Sequence, residues 1–151
     1  MNLEKILADH AVWLSGKGGK WATLYGANLP EADLSGANLE RAILYEANLE
    51  GANLKEANFR GAYLEGANLK GVDLRGANLS WCNLNGVDLR GADLSGADLY
   101  GANLYKANLQ GANLTEATLP GTNLIEANLE GANLRGTCLD TANTPNMKGT
   151  D

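Results

Sequence analysis

Gly91-Ala92-Asp93-Leu94-Ser95-Gly96-Ala97-Asp98-Leu99-Tyr100-Gly101-Ala102-Asn103-Leu104 repeats one five-residue unit, with leucine at residues 94, 99 and 104. The register holds in both directions from this stretch. Every fifth residue from Leu24 to Leu139 is leucine except Phe59, giving 24 consecutive units with no insertion. An ordinary mixed core does not bury so regular a ladder, whereas a solenoid of stacked coils does.

The neighbours of the central leucine say how the chain turns. Two residues before it sits alanine, replaced by Val72, Cys82, Val87, Thr122 and Thr137. One residue before it sits Asn 14 times and Asp five times. The plus-one residue is mixed and mostly polar, and the plus-two residue is Gly 15 times, otherwise mostly Glu, Lys or Arg. Two inward residues in five match neither the 3.6-residue helix nor the two-residue strand period. The chain must therefore turn a corner in every unit, at the Gly and Asn/Asp positions that tolerate left-handed backbone or bond to it locally. Leucine fills the coil and alanine the space beside it; Val72, Val87 and Thr122 read as small enlargements of the inner corner.

Units such as Ala27-Asn28-Leu29, Ala37-Asn38-Leu39-Glu40-Arg41 and Gly91-Ala92-Asp93-Leu94-Ser95 resemble the A(D/N)LXX motif of the pentapeptide repeat proteins, over residues 22–141. The resemblance implies an all-β solenoid, a right-handed quadrilateral β-helix with four repeats per coil. The 24 repeats then make about six coils. At roughly 4.8 Å between coils this is a rod of roughly 25–30 Å. It also fits a bacterial, and in particular cyanobacterial, source.

The ends follow other rules. Leu3, Ile6, Leu7, His10 and Leu14 have helical spacing, with Asn2 placed to cap the first turn. A short amphipathic helix over residues 3–14 is expected to cover the first coil. Ser15-Gly16-Lys17-Gly18-Gly19 ends it, and Trp13 and Trp21 are placed to seal the coil. The expected divisions are a helical cap and linker over residues 1–21, the repeats over 22–141 and a polar tail over 142–151. In the tail, Pro145 can block strand pairing because it has no N–H. The alternative is a last coil that pairs with another chain, so the rod is expected to be a monomer or an end-to-end dimer.

Composition narrows the function. A net charge of −6 argues against direct nucleic-acid binding through basic phosphate contacts. No run of about 20 apolar residues is present to span a membrane. Glu4, Lys5, Asp9 and His10 interrupt any signal-peptide apolar stretch, so a cytoplasmic location is expected. Cys82 and Cys138 stand several coils apart and are expected as free thiols, Cys82 inside and Cys138 outside.

No catalytic constellation is legible, and no cofactor, metal or small-molecule substrate is expected. His10 is the single histidine and reads as a packed residue of the helix. Gly16-Lys17-Gly18-Gly19-Lys20 lacks the spacing of a phosphate-binding loop. The recurring Asn and Asp are explained by turns, and the nonapeptide pattern of calcium-binding β-rolls is absent.

A 20-residue coil assigns each outward residue to a face. The face of Leu24, Leu44, Leu64, Leu84, Leu104 and Leu124 carries Tyr25, Ile43, Tyr45, Tyr63, Tyr105 and Ile125, with Trp81 at the corner just before it. Aromatic residues are favoured at interface hot spots. The expected function is thus a non-enzymatic protein-binding or scaffolding module whose partner is an unknown protein. Stacked tyrosines could equally cover one another as surface packing. Some members of the resembled family mimic DNA and bind DNA gyrase, which is the alternative. Mimicry needs a strongly negative rod, yet the four faces carry only −2, −2, −2 and −1, with Lys55, Arg75 and Arg135 on the face of Asp33, Asp73 and Asp93.

Overall fold

The computed structural model describes residues 1–137. Cys138, Leu139 and the tail over 142–151 lie outside the described residues, and with them the expectations for an exposed thiol and for Pro145.

α1 spans Leu3–Leu14. Asn2 has extended backbone, and its Oδ1 accepts from the Lys5 N–H at 2.9 Å, which satisfies one of the free donors of the first turn. Ser15 ends the helix, and Gly16, Gly18 and Gly19 reverse the chain with φ of 73°, 99° and 77°. Gly19 lies so close to the helix that an added Cβ would collide with Asp9 O and come within 2.7 Å of Trp13 N. This approach lets the Lys20 N–H reach Asp9 O at 3.1 Å.

From Thr23 onward, parallel bridges join residues 20 apart, such as Thr23 to Ile43, Asn28 to Asn48, Asp33 to Asn53 and Asn38 to Asn58. Four five-residue repeats thus make one coil, and the strand on each side is reduced to a single bridge. The fold is a β-solenoid of 20-residue coils. Central leucines from Leu34 to Leu129, and Phe59 among them, are at most 3% exposed, and the minus-two alanines line the same column. Leu29 and Leu134, near the two ends of the described coils, are only partly buried.

Backbone pairing explains the repeat residue by residue. The leucine N–H bonds forward to the next coil, as Leu49 N to Asn68 O at 2.8 Å. The plus-two N–H does the same, as Gly51 N to Lys70 O at 2.9 Å. The minus-one N–H bonds backward, as Asn48 N to Ala27 O at 2.8 Å. The minus-two N–H closes the turn onto the previous leucine, as Ala52 N to Leu49 O at 2.9 Å. That turn requires positive φ at its third residue, hence the glycine column. Eight described residues adopt it without being glycine: Glu31, Arg41, Glu46, Glu56, Trp81, Lys106, Glu116 and Glu126, with φ between 56° and 61°. Each costs about 1–2 kcal/mol relative to glycine.

The polar minus-two residues keep the core paired. Thr122 Oγ1 donates to Leu99 O at 2.7 Å and Cys82 Sγ to Phe59 O at 2.7 Å, so Thr122 adds a hydrogen bond as well as volume. Burial pushes the Cys82 thiol up to about 12. His10 is fully buried between α1 and the first coils. Its Nδ1 accepts from the Ala22 N–H at 3.2 Å and its Nε2 lies 3.0 Å from Glu40 O, so the neutral ring with Nε2–H satisfies both contacts. Desolvation holds its pKa below the usual value. His10, Trp13 and Trp21 stack at centroid distances of 5.7 and 5.4 Å, and Trp21 Nε1 donates to Arg41 O at 2.6 Å. Among the described residues, no helix is long and apolar enough to cross a membrane.

Candidate protein-interaction surface

The fifth N–H of the repeat, at plus-one, points away from the neighbouring coil and needs a local partner. Among the described residues, the minus-one Asn or Asp Oδ1 accepts from it wherever plus-one has an N–H, except at Tyr25, Tyr45 and Glu65. This is the Asx turn, and it explains the Asn/Asp column. The asparagines use their amide groups as well. Asn48 Nδ2 donates to Asn28 Oδ1 at 2.8 Å, Asn68 to Asn48 at 3.1 Å and Asn123 to Asn103 at 3.0 Å, forming ladders along the rod.

The three exceptions are consecutive in one column, where Thr23, Ile43 and Tyr63 replace Asn or Asp. These repeats give up the side-chain bond, and two of them gain a large apolar residue on the outside. Ile43 bridges directly to Tyr63, and Tyr45 packs on Tyr63 at 5.8 Å with the rings tilted by 41°. Tyr25 is 62% exposed, and its hydroxyl donates to Glu46 Oε2 at 3.4 Å. Tyr63 is exposed, while Ile43 and Tyr45 are half-buried. Tyr25, Ile43, Tyr45 and Tyr63 thus form one patch over three coils.

The other sequence candidates stand elsewhere. Glu65 and Asn85 separate Tyr45 from Tyr105 in the plus-one column, joined to each other by an Asn85 Nδ2 to Glu65 Oε1 bond of 3.2 Å. Tyr105 and Ile125 are half-buried neighbours; the Tyr105 hydroxyl donates to Glu126 Oε1 at 2.9 Å, and Lys106 Nζ lies 4.9 Å from its ring centre. Trp81 leans away from the tyrosine patch, over Gly101 and edge-on to Tyr100 at 5.3 Å. Tyr100 was missed in the sequence reading; its signal is its place 19 residues after Trp81, the offset of the Trp81 N to Tyr100 O bond.

Several charges on the rod are paired within a repeat or between coils. Arg75 and Arg90 hold Asp73 and Asp88 through two-point contacts with shortest distances of 2.6 Å, which keeps both carboxyls below the usual range. Lys70 reaches Glu50 at 3.5 Å and Arg60 reaches Glu40 at 3.4 Å one coil back. Among the described residues, no group of three or more His, Cys, Asp or Glu is arranged to hold a metal.

These features define a repeat-built β-solenoid that presents side chains on its outer faces. Stretches at 20–55, 42–80, 52–91, 73–111 and 107–143 match the model for pentapeptide repeats (8 copies), and the chain belongs to that family. No curated protein matches it. Among solved structures it is similar to a trypsin-treated form of QnrB1, a plasmid-mediated fluoroquinolone resistance protein. That match has a TM-score of 0.65 at 20% identity over 80% of this chain and 69% of the other, and shows likeness of fold alone. It is 35% identical to HetL of the cyanobacterium Nostoc sp. strain PCC 7120, involved in heterocyst differentiation regulation, over 87% of this chain and 74% of the other, with a TM-score of 0.32. It is 33% identical to Rfr23 of the cyanobacterium Cyanothece 51142, over 80% of this chain and 86% of the other, with a TM-score of 0.42.

Proposed function

We propose that the chain is a non-enzymatic protein-binding module, a right-handed rod of six coils whose first coil is capped by α1. It engages a protein partner through Tyr25, Ile43, Tyr45 and Tyr63. The observation that carries this reading is the loss of the Asx bond in three successive repeats of one column, where Ile43 and Tyr63 stand in place of the Asn or Asp found in most repeats. A local rule broken at three successive positions of one column marks a candidate functional position. The patch is large, aromatic and partly exposed, as interface anchors are. The cap reading draws on buried His10 and on Leu3, Ile6 and Leu7 packed against the coil core. The coil count draws on the 20-residue bridge spacing and the 24 repeats.

The test is affinity capture from native lysate with the wild-type rod and a Tyr45→Ser/Tyr63→Ser variant matched for folding by circular dichroism. A partner held only by the wild type supports the reading; equal capture by both rejects it. A gyrase-binding DNA mimic is the alternative, raised by the resemblance of the repeats to that family. Ion pairs at Glu40, Glu50, Asp73 and Asp88 neutralise part of the negative surface that mimicry requires. Absence of inhibition in a gyrase supercoiling assay at micromolar rod removes that alternative.

A further inference from the structure

A second surface lies at a different corner of the coil. Arg41, Gly61, Trp81 and Gly101 succeed one another there, each one coil on, at the plus-two position. Trp81 is the only aromatic residue among the eight described non-glycine residues with left-handed backbone, and it is 59% exposed. Strain at a bulky residue is ordinarily offset by burial, and here little burial is obtained. The ring is held from one side, by Gly101 beneath it and Tyr100 at its edge. On the other side a notch of about 260 Å³ opens over Gly61, between Trp81 and the side chains of Glu40, Arg41 and Arg60. Gly61 keeps the notch open, and the γ-carbon of Arg41 lies 3.5 Å from where a Cβ would stand.

The charges at the notch select an occupant. Arg41 makes no ion pair among the described residues. Arg60 reaches Glu40 at 3.4 Å with more than half of its side chain exposed, a contact that an incoming carboxylate can replace at little cost. Two guanidiniums beside an open indole suit carboxylate recognition next to a flat or apolar side chain. A nucleic-acid strand finds too few cations here, since phosphate binding rests on many such contacts and the notch offers only Arg41 and Arg60. A small-molecule site would enclose most of its ligand, which an open notch on a convex rod does not do.

We propose that the notch between Arg41 and Trp81 is a docking subsite for an acidic segment of a partner protein. Arg41 and Arg60 take its carboxylates, and Trp81 takes the neighbouring planar side chain. The site is independent of the tyrosine patch, so either can fail without the other.

The test follows the indole N–H signals of the ¹⁵N-labelled chain, assigned with a Trp81→Phe variant, during titration with the blocked peptide Glu-Glu-Tyr-Glu-Glu. The Trp81 signal should shift saturably while those of Trp13 and Trp21 stay in place, and the Tyr45→Ser/Tyr63→Ser variant should respond in the same way. Arg41→Gly should weaken binding at least tenfold, and because it removes a left-handed non-glycine residue it should not harm the fold. The proposal is overturned by no shift at millimolar peptide or by an equal response to Lys-Lys-Tyr-Lys-Lys. Undiminished binding by Arg41→Gly, or tighter binding of a short DNA duplex at the same salt, overturns it as well.

Discussion

Gly91 and Gly101 both occupy the plus-two position of the repeat, with φ of 64° and 65°, yet their surroundings differ. A Cβ on Gly91 meets nothing within 4 Å, whereas one on Gly101 falls 2.7 Å from Cε3 of Trp81. Gly91→Ala therefore carries only the backbone cost of about 1–2 kcal/mol. The reduced freedom of the unfolded chain offsets about 0.4–1 kcal/mol of that, leaving about 1 kcal/mol. Gly101→Ala carries the same cost and must also displace the ring, losing the edge contact with Tyr100 at about 0.5–1.5 kcal/mol. In a Trp81→Gly background the Gly101→Ala cost should fall back to about 1 kcal/mol. Urea unfolding followed by circular dichroism measures all of these, provided the slope is unchanged between variants. Equal costs at the two glycines, or a Gly101→Ala cost that ignores the Trp81 background, would refute the seating of the ring on Gly101.

Other consequences follow from the core and the buried groups. Leu84→Asp should abolish the cooperative melt, and Leu84→Ala should cost about 2–5 kcal/mol, read from the urea midpoint. Native Cys82 should be inert to a thiol reagent until the chain is unfolded, since burial raises its pKa to about 12. His10 has its pKa lowered from 6.5 in the fold, so the unfolded chain protonates first as the pH drops. Its contribution should be complete above about pH 6.5 and decline as the pH falls from there towards the folded value. Melting temperatures should therefore show a weaker pH slope between pH 7.5 and 5.5 in His10→Gln than in wild type.

The leucine period carried most of the fold in plain view, because each central side chain meets the same environment in every coil. The helix was legible for a similar reason, in the spacing of Leu3, Ile6, Leu7 and His10 behind Asn2. The candidate surface was only half legible. Residues 20 apart could be set on one face, which brought Ile43, Tyr45 and Tyr63 together. The direction in which a side chain leans was not encoded in that count: Trp81 turns towards Tyr100 and Gly101, away from the tyrosines. The meaning of Thr23, Ile43 and Tyr63 was hidden as well. Their column matters because Tyr25, Tyr45 and Glu65 lack the Asx acceptor, and only the hydrogen-bond geometry of the other repeats reveals that loss.

Ile43→Asn/Tyr63→Asn restores the repeat's own residue at both positions, and capture from native lysate with this variant tests the central claim most directly. The account predicts a rod that still folds, with two regained Asx bonds of about 0.5–1.5 kcal/mol each offsetting the lost Ile43 and Tyr63 packing, and no partner retained. A folded variant that holds the same partner as the wild type would contradict it.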